Sequence, residues 1–185
     1  MFVNKRKFLV VSVSILLSLF YLANTQAQSL AQPLSLKLPQ FTQQDEQRWI
    51  NSSPLKTQDL KGKVVLVDVW TYGCWNCYRS IPWLNSLEEK FGQEKFTIVG
   101  IHTPEFDHET KREKIIEKCE EFNVTHPVMM DNDFAYWRAL RNRYWPTFYV
   151  ADKNGVIQGV FVGETHEGDK RAKSVEKLIT KLIAK

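Results

Sequence analysis

Apolar residues after residue 60 follow a pattern that predicts buried strands alternating with amphipathic helices. The runs Val64–Trp70 and Phe96–His102 are almost continuously apolar, and short runs of this kind are typical of strands buried on both faces. Between them, apolar residues recur at helical spacing from Cys74 to Phe91, with Pro82 inside the stretch. Proline removes one helical hydrogen bond and bends the helix. The pattern therefore predicts a strand–helix–strand unit with two parallel strands.

The rest of the chain continues the alternation and ends with a hairpin and a helix. Asn154-Gly155 lies between two apolar runs, and Asn-Gly is the strongest short hairpin signal. Upstream, Trp49–Leu60 is predicted to form a short hairpin or an extended edge. The closing hairpin adds antiparallel strands to the parallel pair, so we expect an α/β fold with a central mixed sheet and helices on both faces. After the second strand, a helix is predicted to begin at Asp107 or Glu109, with Ile115, Cys119 and Phe122 on its apolar stripe. An extended piece over Val124–Met130 and a short helix from a cap at Asp131 or Asp133 to Leu140 follow. The hairpin strands are predicted over Pro146–Ala151 and Val156–Val162, and the last helix has Val175, Leu178, Ile179, Leu182 and Ile183 on one face.

The start of the chain has the composition of a secretory leader. Lys5, Arg6 and Lys7 precede the apolar stretch Phe8–Ala23, and Thr25-Gln26-Ala27 supplies small residues for a cleavage site. This order is typical of a signal peptide; an uncleaved anchor is the alternative, although the stretch is a little short to span a bilayer. In either case we expect the rest of the chain to lie outside the cytoplasm, in the periplasm or on the outer face of the cytoplasmic membrane. The predicted divisions are a signal peptide or membrane anchor over residues 1–27, an N-terminal extension over residues 28–60 and the folded domain over residues 61–185.

The charge of the chain does not indicate a nucleic-acid partner. The leader holds three basic residues and no acidic ones, so removing it lowers the net charge from +4 to +1. The sequence pI of about 8.9 therefore reflects the leader, and no basic stripe follows it. We expect contact with a membrane only through the N-terminal segment, if that segment is retained.

Two of the three cysteines form a Cys-x-x-Cys motif. Cys74 and Cys77 follow a predicted buried strand and open a predicted helix, which is the context in which this motif indicates redox chemistry. Helical residues three positions apart share a face, so the two sulfurs can bond across one turn. Free N–H groups and the positive end of the helix dipole favour a thiolate at Cys74, and the thiolate is the form that attacks a disulfide. We therefore predict that Cys74 is the nucleophile and Cys77 the resolving thiol.

Two alternatives to a redox pair are an inert structural disulfide and half of a zinc site. Zinc takes four ligands, and the sequence has no second Cys-x-x-Cys and no suitably spaced pair of histidines. Cys119 lies on the apolar stripe of its predicted helix, where a free cysteine behaves as a small buried hydrophobe. We expect Cys119 to be structural, and we expect neither a metal nor a cofactor.

Asp68 is the one charged residue in the first predicted strand. Burial without a partner raises the pKa of a carboxyl group, and such a group can take a proton from the resolving thiol. The alternative is a carboxylate satisfied by Lys63 or by a backbone donor.

Aromatic residues lie close to the cysteines in sequence or in the predicted fold, at Trp70, Tyr72, Trp75 and Trp145. Such residues can form an apolar platform for extended or unfolded substrates. The alternative is a place in the core, which we favour for Trp70. Trp75 lies between the two cysteines and is expected to be exposed.

Several segments together resemble one family. They are Trp49–Ser52, Lys61–Tyr72, Cys74–Cys77, His102–Phe106, Asp131–Asp133 and Tyr144–Thr147. In combination they resemble thioredoxin-like proteins of the TlpA/redoxin type and, among them, the extracytoplasmic domain of DipZ-like proteins. The resemblance implies a thioredoxin fold with an inserted helix, thiol–disulfide exchange, a cis-proline at Pro146 opposite the cysteine pair, and Asp68 as the buried acid beneath that pair.

A cis Pro146 would expose the backbone of Trp145 to an extended substrate. Two features depart from the family pattern. Trp75-Asn76 stands between the cysteines where thioredoxin has Gly-Pro, and the multi-helix membrane domain of DipZ-like proteins has no counterpart among these 185 residues.

These observations predict an extracytoplasmic thiol–disulfide oxidoreductase that acts on protein substrates as a reductase. Its expected partners are protein thiols and disulfides and an electron donor, a membrane thiol carrier. One alternative is a thiol peroxidase, because Thr71-x-x-Cys74 echoes the peroxiredoxin motif, although Val67 stands where those enzymes carry proline. Another is a Sco-like copper carrier, a class of the same fold whose cysteines are separated by three residues rather than two. Its further ligands would come from His126, Met129 and His166.

Overall fold

The computed structural model describes residues 36–185, which form a mixed sheet with helices against both faces. The predicted leader over residues 1–27 lies outside the described residues. Within residues 36–185, no helix is both long enough and apolar enough to cross a membrane. The strands are β1 (Trp49–Ile50), β2 (Val64–Trp70), β3 (Phe96–His102), β4 (Val128–Met130), β5 (Thr147–Ala151) and β6 (Ile157–Val162), and the helices are α1 (Trp75–Phe91), α2 (Arg112–Glu121), α3 (Ala135–Leu140) and α4 (Lys170–Ile183).

The sheet has the strand order β1–β4–β3–β2–β5–β6. Strands β2, β3 and β4 run parallel, whereas β1, β5 and β6 pair antiparallel with their neighbours. The succession β2–α1–β3–α3–β5–β6–α4 is that of the thioredoxin fold, and α2 with β4 forms an insertion after β3. The predicted fold class, including the inserted helix, is confirmed.

Strand β2 is buried along its whole length because helices and loops cover both of its faces. Val65, Val67 and Val69 point to one face and pack with side chains of α3. Val64 and Leu66 point to the other face and pack with α1 and α4. A strand covered on both sides has no solvent face, which explains the continuous apolar run in the sequence.

Residues 36–60 pack into the same core as the rest of the described chain. Leu38, Phe41 and Trp49 belong to the cluster that covers one face of β2. Strand β1 pairs antiparallel with β4, so the predicted extended edge is confirmed and the hairpin alternative is wrong. Asn51 ends the strand because it adopts a positive φ of 64°. Its side-chain amide donates to two carbonyl oxygens before β4, at 2.8 and 3.1 Å.

The segment after β3 differs from the prediction of one helix beginning at Asp107 or Glu109. Asp107–Thr110 forms a 3-10 turn, and α2 begins at Arg112. The side chain of Glu109 turns inward and accepts two backbone N–H groups of the preceding loop. These bonds close a tight turn rather than extend a helix. Strands β2 and β3 have the predicted bounds.

Candidate active site

Cys74 and Cys77 form a disulfide at the start of α1, with their Cα atoms 5.2 Å apart. Cys74 is the residue before the first helical one, and its Sγ accepts the backbone N–H of Cys77 at 3.3 Å. Cys74 is half-buried, whereas Cys77 is only 2% exposed. The pair therefore has an outer sulfur that another molecule can reach and an inner sulfur that is shielded.

The loop between β2 and α1 sets the position of Cys74. The amide of Cys74 donates to the carbonyl oxygen of Thr71 at 3.3 Å, which closes a tight turn. A Cβ at Gly73 would overlap Oε1 of Glu109. A side chain at this position would therefore have to displace the carboxyl group of Glu109.

His102, at the end of β3, supports the same loop from beneath. Its Nε2 lies 3.2 Å from Oγ1 of Thr71 and 3.4 Å from the backbone N of Tyr72. Burial lowers the pKa of His102 to about 3, so the ring is neutral near pH 7. The sequence prediction gave His102 no role, because a histidine at a strand end carries no signal of its contacts.

The Trp145–Pro146 peptide bond is cis, as the resemblance implied. Trp145 and Cys74 line the same open groove, which has a volume of about 450 Å³. The indole Nε1 of Trp145 donates to the carbonyl oxygen of Thr103 at 3.0 Å, which fixes the ring beside the groove. The structure thus brings together the cysteine pair and the cis-proline loop, which are about 70 residues apart in sequence. The other residues that line the groove are Gly73, Trp75, Asn76, Glu105, Arg143 and Tyr144.

Asp68 is 2% exposed and lies in the middle of β2. Its Oδ1 has no hydrogen-bond partner in the described part of the chain, and no ion pair joins it to Lys63 there. Burial raises its pKa to about 8. Trp70, two residues further along the same face of β2, packs with Cys77. Asp68 therefore faces α1, on the side of the sheet where the inner sulfur lies.

The aromatic residues near the cysteines divide into buried and exposed ones. Trp70 is 1% exposed and belongs to the core, whereas Trp75 is 65% exposed, as predicted. The ring of Trp75 is 5.4 Å from that of Tyr78, which is 4.8 Å from the ring of Phe122. These rings form an apolar surface beside the start of α1. Tyr78 and Phe122 were not predicted to lie at the site; the spacing of Tyr78 three residues after Trp75 is the signal that could have found it.

Cys119 is a free, buried thiol in α2. Burial, assisted by the charge of Glu120, raises its pKa to about 12. A thiol with this pKa is protonated at physiological pH and is a poor nucleophile. Its position agrees with the predicted structural role.

The chain matches the family model described as Redoxin over residues 35–179. It is 42% identical over 122 residues to Protein SUPPRESSOR OF QUENCHING 1, chloroplastic, of Arabidopsis thaliana, a match that covers 65% of this chain and 12% of that protein. It is 34% identical over 119 residues to Protein DipZ of Mycobacterium bovis, which covers 63% of this chain and 17% of DipZ. The chain therefore spans less than a fifth of the length of either relative.

Two further matches extend over nearly the whole of the other protein. Thiol-disulfide oxidoreductase YkuV of Bacillus subtilis is 28% identical over 147 residues, which cover 80% of this chain and 94% of YkuV. The solution structure of a thioredoxin-like protein in the oxidized form superposes with a TM-score of 0.67 at 27% identity, covering 82% of this chain and 98% of the other. The family match includes the disulfide, the cis-proline and all of β2. The chain therefore belongs to the redoxin family and has a thioredoxin fold, as the resemblance predicted.

Proposed function

We propose that this chain is a thiol–disulfide oxidoreductase that acts outside the cytoplasm and reduces disulfides in other proteins. The observation that carries the proposal is the placement of the Cys74–Cys77 disulfide, whose outer sulfur opens onto a groove lined by Trp145. Exchange with a protein disulfide requires one reachable sulfur and one that can attack afterwards. An inert structural disulfide requires neither.

The two sulfurs divide the reaction between them. In the reduced enzyme, the Cys74 thiolate attacks one sulfur of the substrate disulfide, and the other substrate sulfur leaves as a thiolate. Cys77 then loses its proton to Asp68 and attacks Sγ of Cys74. This step restores the Cys74–Cys77 disulfide and releases the second substrate thiolate. Two electrons pass from the pair to the substrate, and both released thiolates take up protons, from solvent and from Asp68.

Asp68 is suited to the role of base because its pKa is about 8. The carboxylate form becomes more populated as the pH rises toward 8, so more molecules can accept the proton of Cys77. We expect the second step to accelerate over this range.

The groove supplies contacts for the substrate. Trp75 and Trp145 offer apolar surface in the groove that Cys74 also lines. Trp145 lines the groove, and an extended substrate segment can pair with its backbone there. These contacts recognise a chain conformation rather than a particular sequence.

The location and direction of the reaction are argued from the sequence. A leader over residues 1–27 would export the chain, leaving an extension over residues 28–60 and the thioredoxin-like domain over residues 61–185. The TlpA-like resemblance favours reduction of target disulfides. A reductase outside the cytoplasm works against an oxidising compartment, so its own disulfide must be reduced after each cycle by a dithiol donor, and a thiol carrier in the membrane fits that requirement.

The activity is tested by reduction of insulin with dithiothreitol as the electron source. The purified chain is expected to accelerate the reaction, Cys74→Ser to be inactive, and Cys77→Ser to accumulate a mixed disulfide with the substrate. Cys119→Ala is the matched control and should keep the activity. Full activity of Cys74→Ser would show that another group is the nucleophile.

The direction is tested separately by the reduction potential of the pair. A value near about −270 mV, that of thioredoxin, supports a reductase, whereas a value near about −120 mV, that of DsbA, would make the protein an oxidant. The second result would overturn the direction and leave the exchange chemistry intact.

A further inference from the structure

Glu109 is a buried acidic side chain in contact with the active-site loop. It is 0% exposed. Its Oε2 accepts the backbone N–H groups of Glu105 and Phe106 at 2.6 and 3.1 Å. Its Oε1 has no hydrogen-bond partner within residues 36–185 and lies in the space that a Cβ of Gly73 would occupy. One oxygen therefore has a structural task, and the other is directed at the residue before Cys74.

An unpartnered buried oxygen requires an explanation, because it lowers stability without a compensating bond. The helix start favours a thiolate at Cys74, and a nearby negative charge opposes that preference. The charge of Glu109 acts on the hydroxyl of Tyr72, which donates to the carbonyl oxygen of His108. Burial and, after it, the charge of Glu109 raise the pKa of Tyr72, the residue before Gly73.

We propose that Glu109 is a positioning residue that holds an acidic oxygen against the backbone before Cys74 and so favours the disulfide over the dithiol. The inference rests on the proposed function, for which it would supply the reducing direction. A charge that disfavours the Cys74 thiolate destabilises the reduced pair. A less stable reduced pair is a stronger donor of electrons to a substrate disulfide.

The Glu109 side chain also contacts two loops that line the groove, one with Gly73 and one with Glu105. It binds the loop from Thr103 to Phe106, whose carbonyl oxygen at Thr103 accepts the indole N–H of Trp145. Deleting the side chain would loosen that loop as well as remove the charge. Gln is the informative replacement for Glu109, because its oxygen can keep both backbone N–H groups while its amide nitrogen replaces Oε1.

Other ionisable groups surround the cysteine pair, and they differ from Glu109 in exposure or position. Asp68 lies in β2 and faces α1, on the side where Cys77 is buried. Glu105 is an exposed residue of the groove, where solvent and salt weaken its effect. The remaining ionisable groups of the groove and loop are Arg143, Tyr144, Tyr72 and the neutral His102.

The test compares Glu109→Gln with Glu113→Gln, which removes a charge from an exposed position on α2. The Cys74 pKa is measured from the pH dependence of alkylation of the reduced protein, and the equilibrium between pair and glutathione is measured in redox buffers. Glu109→Gln is expected to lower the Cys74 pKa and to lower the equilibrium constant for disulfide formation about tenfold. Glu113→Gln should leave both unchanged. A folded Glu109→Gln protein with wild-type values would overturn the proposal.

Gly73→Ala addresses the same contact from the other side, because its methyl group must displace the carboxyl of Glu109. It should also lower the Cys74 pKa, and the double variant with Glu109→Gln should show less than the sum of the two effects. Fully additive effects, or an unchanged pKa in Gly73→Ala, would overturn the proposal even if Glu109→Gln does not fold. None of these measurements uses a protein substrate, so a wild-type chain that fails to reduce insulin would refute the proposed function and not this inference.

Discussion

Asp68 and Asp131 are two aspartates with similar burial and opposite surroundings. Asp68 is 2% exposed and Asp131 is 0% exposed. The carboxylate of Asp131 accepts the backbone N–H groups of Tyr136 and Trp137 at 2.8 and 2.9 Å and the hydroxyl of Thr103 at 3.0 Å. Oδ1 of Asp68 has no partner in the described chain. The two carboxyl groups therefore differ in their partners rather than in their exposure.

This difference separates a structural carboxyl group from a chemical one. Burial raises the pKa of Asp131, but its hydrogen bonds act in the other direction and bind the group to the first turn of α3. Burial alone raises the pKa of Asp68 to about 8. A carboxyl group with an unsatisfied oxygen and a pKa near neutrality is suited to exchanging a proton. The function proposed for Asp68 therefore depends on an oxygen, Oδ1, that has no hydrogen-bond partner among the described residues.

The largest expected effect is on stability, in Asp131→Ala. The substitution leaves the backbone N–H groups of Tyr136 and Trp137 unpaired inside the protein. We expect the free energy of unfolding to fall by about 3 kcal/mol, since three hydrogen bonds to a charged group are lost together. Urea denaturation measures the change.

Asp131→Asn is the matched control for this prediction. Asparagine keeps one acceptor oxygen, so it should lower stability less than alanine does. Both variants should reduce insulin at the wild-type rate per folded molecule. Equal destabilisation by the two substitutions would mean that the hydrogen bonds of Asp131 are not what stabilises α3.

A smaller effect, of opposite sign, is expected at Asp68. Its folded-state pKa of about 8 is higher than the ordinary value of 3.8, so the folded protein binds one more proton than the unfolded chain between these values. Stability therefore falls as the pH rises through this window, by at most about 1.4 kcal/mol per pH unit for one group, and levels off above the folded-state pKa. Asp68→Asn should remove this slope, so its stability relative to wild type should rise by about 2 kcal/mol from pH 6 to pH 8.

The same Asp68→Asn variant should lose activity while it gains stability. Without a base for Cys77, we expect the second step to slow by about tenfold and mixed disulfide to accumulate. Denaturation curves at several pH values and rapid-quench trapping measure the two effects. Parallel pH slopes in the variant and wild type would contradict the raised pKa of Asp68.

Local sequence patterns were sufficient for part of this comparison. A lone charge in the apolar run of β2 marks Asp68 as buried, and the Cys-x-x-Cys motif marks the start of α1, because both signals are local. Two donors to Asp131, at Tyr136 and Trp137, are near neighbours in sequence, and the pattern placed Asp131 at the start of their helix. The third donor, Thr103, lies 28 residues before Asp131 and has no local signal. The contact between Glu109 and Gly73 could not be predicted either, because the two residues are far apart in sequence.

The groove and the edge of the sheet show the same limit. Glu105, Arg143 and Tyr144 join Cys74 only through the folding of three separate loops. The hairpin alternative for Trp49–Leu60 failed because β4, far along the chain, supplies the partner of β1. The family resemblance, rather than periodicity, supplied the cis bond at Pro146.

The smallest expected effect concerns the third donor to Asp131. Thr103→Val keeps the shape of the side chain and removes the hydroxyl that bonds Oδ2 of Asp131. Because the two backbone donors remain, we expect a loss of about 1 kcal/mol in the free energy of unfolding, well below that of Asp131→Ala. The decisive measurement is the double variant. In the Asp131→Ala background the hydroxyl of Thr103 has lost its acceptor, so replacing it with a methyl group should no longer destabilise the protein. An undiminished loss in that background would mean that Thr103 stabilises the fold through another contact. The difference between Asp131 and Asp68 would then rest only on the two backbone N–H groups of α3 that Asp131 accepts.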